Sequence, residues 1–172
     1  MSDYGEDTLI EQPAIELFKA LGYEIRNCFH ETLGKNGTLG RKTTSEVVLI
    51  RYLKNSLLKL NPKSNLEAID LAVEEIIRDR VSLSMVNANK EIYKLLKDGV
   101  KITYKNNEGD DIDDVICVID WSEPSNNHYL LTSQLWITGE IYKRRADLIV
   151  FVNGIPLIFI ELKATARRLD ML

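Results

Sequence analysis

The residues best suited to chemistry lie near the C-terminal end of the chain. Arg145-Ala146-Asp147 opens an apolar run, Leu148 to Val152, and Asn153-Gly154 breaks it. A second apolar run, Ile155 to Ile160, then leads into Glu161-Leu162-Lys163. Residues i and i+2 of a strand share a face, so Glu161 and Lys163 project together, and a hairpin turn at Asn153-Gly154 brings them back towards Asp147. Two carboxylates and an ammonium group gathered at the end of an apolar hairpin suit phosphodiester hydrolysis. That reaction needs a cation to offset charge on phosphorus and to acidify the attacking water, and Mg²⁺ prefers carboxylate oxygens plus retained waters. Asp147 and Glu161 are the expected metal ligands, with the backbone carbonyl of Leu162 as a third. Lys163 is placed to orient or help deprotonate the water.

A shared metal sets a condition on the register. With a plain two-residue turn, Val152 pairs with Ile155, Asp147 with Ile160 and Ala146 with Glu161, which points the two acids to opposite faces. One extra residue, in the turn or as a bulge, returns them to one face, where a single Mg²⁺ could touch both at about 2.1 Å. Gly154 and Pro156 suit such an irregularity.

The elements that must carry this hairpin are legible as patterns. Ile10, Ala14, Leu17, Phe18 and Leu21 mark one face of a helix ending at Gly22, and residues 23–29 read as a strand. Residues 31–43, rich in Gly, Lys, Arg and Thr, read as a mobile loop. Ile50, Leu53, Leu57 and Leu60 mark a helix stopped by Pro62. Ser64 and Glu67 form a capping box ahead of Leu66, Ile69, Val73, Ile76 and Ile77, and another helix ends near Gly99. Strands follow at residues 100–104, 115–119, 129–137, 147–152 and 155–163. Helices followed by a mostly sequential sheet make the fold class mixed α/β or α+β.

Composition narrows the options. A chain of 172 residues that is 45% hydrophobic suits one core, hence a single domain over residues 1–172. A net charge of −4 excludes binding nucleic acid by bulk charge, so any DNA contact needs a local basic surface or other domains. The apolar runs are too short to span a bilayer and no signal sequence opens the chain, which reads as cytoplasmic with no membrane contact. Cys28 and Cys117 read as reduced, buried thiols, and Cys28, His30 and His128 lack the paired four-ligand pattern of structural zinc.

The string from Arg145 to Leu157, running into Ile160-Glu161-Leu162-Lys163, resembles the N-terminal nuclease domain of type I restriction enzyme motor (R) subunits, within the PD-(D/E)XK nuclease superfamily. Glu11 on an acidic first helix followed by Leu21-Gly22-Tyr23-Glu24 resembles the same family. The resemblance implies a restriction-endonuclease-like mixed sheet flanked by helices, truncated relative to a larger subunit. It implies a Mg²⁺-dependent DNA endonuclease with metal ligands at Asp147 and Glu161, a catalytic lysine at Lys163 and a helix-borne acid at Glu11. It also implies DNA, methyltransferase and specificity subunits as partners, with ATP used only by motor domains outside this chain. Two departures from the family are visible: Ala146 replaces a proline, and the Gln-x-x-x-Tyr motif that follows the lysine is not present.

Bland readings stand beside these. Asp147 and Lys163 could form a salt bridge at a sheet end, and Glu11 could serve only the helix dipole, with Glu6 as a rival acid. Lys143, Arg144 and Arg145 are either a solvated turn or DNA phosphate contacts. The glycine-rich stretch 34–43 has the wrong spacing for a phosphate-cradling loop, and Arg41 intrudes before its lysine. The acidic run 108–114 lacks a calcium loop's ligand pattern and reads as a solvated turn. A stand-alone repair or junction nuclease, and a non-catalytic docking module for DNA or a partner, remain alternatives.

Overall fold

A computed structural model of the protein describes residues 10–105, 108–139 and 142–163. Glu6 and Arg167 to Leu172 lie outside these. The elements are α1 (Gln12–Ala20), β1 (Glu24–Asn27), α2 (Ile50–Leu60), α3 (Leu66–Ile77), α4 (Met85–Asp98), β2 (Val100–Lys105), β3 (Asp111–Ile116), β4 (Tyr129–Thr138), β5 (Lys143–Val152) and β6 (Ile155–Ile160). This is a mixed α/β fold, as the patterning implies. The strands do not form one sequential sheet, however. One sheet runs β1-β4-β5-β6, with β1 parallel to β4 and the other pairs antiparallel, and β2 and β3 form a separate hairpin.

Alternation along β4 and β5 divides the core. Leu131, Leu148 and Val150 meet Ile15 of α1, with Ala14 and Phe18 beside it. Leu130, Ile149 and Phe151 meet Cys28, Leu39 and Leu49 on the other face. A third cluster joins α2 and α3 to the β2–β3 hairpin and Ile155. Helix α1 therefore buries Ile15, not the expected Leu17 and Leu21, which are exposed. Ala14 and Phe18 of the expected stripe do pack against this core. The helix stop is as expected: Gly22 at φ 88° donates to Lys19 O and Tyr23 to Phe18 O. The Phe18 and Tyr23 rings seal that turn edge to face at 5.0 Å, the Schellman arrangement.

Four other expectations change. Asn65, not Ser64, caps α3 by accepting from the Ala68 N–H at 2.8 Å, while Ser64 donates to Asp114. Residues 31–43 are not a bare surface loop, because Leu39 and Arg41 are buried within them. Much of the acidic run is strand: Asp111, Asp113 and Asp114 lie in β3 opposite Lys105, Thr103 and Ile102. Their side chains are spent on Lys105, Thr103 and Ser64. Cys28 is buried as expected, but Cys117 is only half-buried.

Candidate active site

The hairpin β5–β6 turns on two residues in left-handed backbone, Asn153 (φ 52°) and Gly154 (φ 81°). Val152 pairs with Ile155 and Phe151 with Pro156, then the register shifts so that Val150 pairs with Ile158 and Leu148 with Ile160. Leu157 is the extra residue. The bulge that a shared metal requires is therefore present, and the ladder ends at Leu148↔Ile160, one residue short of Asp147 and Glu161.

Asp147 lies at a second irregularity. Leu135 and Ala146 pack with Leu130 and Ile149, which is out of phase by one residue on both strands. The change of face falls between the pairs Ser133↔Leu148 and Leu135↔Ala146, at the level of Gln134 and Asp147 and without a shift of register, and Gln134 there has a φ of 57°. Asp147 and Gln134 thereby join the wall of a cavity of about 630 Å³, lined also by Glu11, Gln12, Asn27, Phe29, His30, Arg145 and Leu162. Asp147 Oδ2 accepts the Leu162 N–H at 2.8 Å, tying the carboxylate to the chain just beyond β6.

Glu11, at the N-terminal end of α1, is 6% exposed, and Gln134 Nε2 donates to its Oε2. The structure thus brings together Glu11, Asp147, Leu162 and Arg145 of the sequence-derived site residues. Glu161 and Lys163 follow the end of β6, exposed on either side of half-buried Leu162, and neither lines the cavity. Lys143, Arg144 and Arg145 are exposed at the start of β5. They are less random than a solvated turn: Arg145 lies 5.4 Å from the Phe29 ring centroid and 5.7 Å from that of Trp136, and Lys143 4.8 Å from Trp136.

Gln134, Asn27, Phe29, His30 and Trp136 are additions that motif reading missed. β1 reaches the site only through its parallel pairing with β4, about a hundred residues later in the chain, and no local pattern announces that. His128 stands apart, with Nε2 2.8 Å from Glu24, and burial pushes the Cys28 thiol up to about 12. The three residues once conceivable as a zinc set thus serve three different places.

An acidic pair on a cavity wall, a basic and aromatic rim, and a bulged central hairpin define a mixed α/β domain with an ionic cleft at one end of its sheet. The chain belongs to the family of type I restriction enzyme R protein N-termini, whose family model matches residues 3–170. It is similar to the type I restriction enzyme HindI endonuclease subunit of Haemophilus influenzae, with 33% identity over 164 residues. It is also similar to the putative type I restriction enzyme MjaIXP endonuclease subunit of Methanocaldococcus jannaschii, with 28% identity over 164 residues. Each match covers 92% of this chain and 15% of the relative, so the chain spans a small N-terminal-family portion of much longer proteins.

Proposed function

We propose that this domain is the DNA-cleaving part of a type I restriction enzyme R subunit, a Mg²⁺-dependent phosphodiesterase of the PD-(D/E)XK kind. The observation that supports the reading is the bulge at Leu157, which pairs Leu148 with Ile160 where a plain hairpin would pair Asp147 with Ile160. The donors suit the metal: Mg²⁺ takes one or two carboxylates and keeps several waters, and Glu11 and Asp147 both line one cavity. Among the described residues no group of three His, Cys, Asp or Glu side chains stands together as a metal cage.

Asp147, Glu161 and the Leu162 carbonyl would hold the ion, with Glu11 as the acid contributed by α1. The bound ion would supply a more acidic water and a counter-charge for the phosphate. Lys163 orients that water and offsets charge in the transition state. Arg145 and Lys143, steadied on Trp136, and Arg144 beside them receive backbone phosphates on the approach side. Sequence choice and translocation would belong to partners and motor domains beyond this chain, methyltransferase and specificity subunits among them, with ATP used only there.

Cleavage of supercoiled plasmid by the intact restriction complex tests the proposal. Asp147→Ala and Lys163→Ala should each abolish cutting while leaving folding and ATP hydrolysis in place. Undiminished double-strand cleavage in either variant contradicts the assignment.

A further inference from the structure

Gln134 sits inside a strand with a φ of 57°, backbone that a residue with a Cβ adopts only when its surroundings over-determine it, and that clusters at functional sites. Two features surround it. Its amide donates to Oε2 of Glu11, a carboxylate 6% exposed, and it lies level with Asp147 across the β4–β5 ladder. A buried carboxylate needs donors. An amide donor fixes the carboxylate's orientation. Glu11, Gln134 and Asp147 all line one cavity.

We propose that Gln134 is a positioning residue for metal binding, its amide holding the Glu11 carboxylate on the cavity wall beside Asp147. This rests on the proposed metal-dependent function. The break in alternation at Gln134 and Asp147 then has one purpose: it turns an acid and the orienting amide of a second acid to the same cavity.

The test reads Mn²⁺ affinity of the purified protein by the electron paramagnetic resonance signal of free ion. Partners behind metal ligands are typically worth 10- to 100-fold in affinity, so Gln134→Met should weaken binding about 10-fold. Gln134→Gly, which relieves the backbone and also lacks the amide, should match it, and that keeps a folding fault of the Met variant from passing as a binding effect. In a Glu11→Gln background, Gln134→Met should change affinity less than about twofold, because coupled residues are not additive. A merely structural glutamine would produce the same loss in both backgrounds. Wild-type affinity in both Gln134 variants, or additive losses, overturns the inference alone. Asp147→Ala binding Mn²⁺ as tightly as wild type overturns the metal reading, and this inference with it.

Discussion

Arg41 is 1% exposed and bonds Glu31 with Nε at 2.9 Å while also giving hydrogen bonds to the carbonyls of Thr44, Glu46 and Trp136. In sequence it looked like an intruder in a near-miss phosphate loop. In the fold it is the strut that ties residues 31–46 to β4 at Trp136, beside the ring that steadies Arg145. Breaking a buried pair strands a charge, so Arg41→Met should cost about 3–5 kcal/mol in urea unfolding. Arg41→Lys should rescue little, since an ammonium cannot reach a carboxylate and three carbonyls together. A loss under about 1 kcal/mol for Arg41→Met would contradict the strut, since that is no more than an exposed ion pair contributes. At this scale the sequence was partly legible. Asp147 and Glu11 stand on the cavity wall, while Gln134, Phe29 and His30 were invisible because each owes its place to a strand pairing between distant segments.

The turn between β5 and β6 shows how much an element can ask of two residues. Asn153 is fully buried, accepts from the His128 N–H at 2.7 Å and donates to Val118 O at 2.8 Å. Gly154 O accepts from the Leu49 N–H at 2.8 Å, which seats the turn under the start of α2. A Cβ on Gly154 would lie 2.6 Å from Leu53 N and 2.7 Å from Leu49 O, at a φ of +81°. Left-handed strain of about 1–2 kcal/mol then adds to an overpacking cost of about 1–3 kcal/mol. Gly154→Ala should accordingly destabilise by about 3 kcal/mol, and Gly109→Ala, at φ +89° in open space, by only about 1 kcal/mol. Equal losses in denaturant melts would deny that α2 clamps the turn. Asn-Gly announced this turn, and the shared-metal condition anticipated the bulge, because both follow from local geometry. The cap of α3 falls on Asn65 rather than Ser64, and α1 buries Ile15 rather than Leu17 and Leu21, because adjacent residues compete for one role and tertiary packing chooses between them.

Across the whole molecule, helices α2 and α3 and the β2–β3 hairpin form a core of their own around Leu53, Ile69, Ile116 and Ile155, and the site forms where β1 and β6 stop short while β4 and β5 continue. The mixed α/β class was readable from periodicity, but the split into two sheets was not, since which strands pair is a long-range choice. The central claim is that the cation belongs in the cavity of Glu11 and Asp147, and not at the more conspicuous acidic stretch of β3. Paramagnetic broadening of backbone amide resonances by substoichiometric Mn²⁺ tests this directly, because the ion erases the signals of the residues nearest to it. The account predicts that Asp147, Leu162 and Gln134 fade first while Asp111, Asp113 and Asp120 keep their intensity. Broadening centred on β3, or spread evenly over the acidic surface, would contradict it.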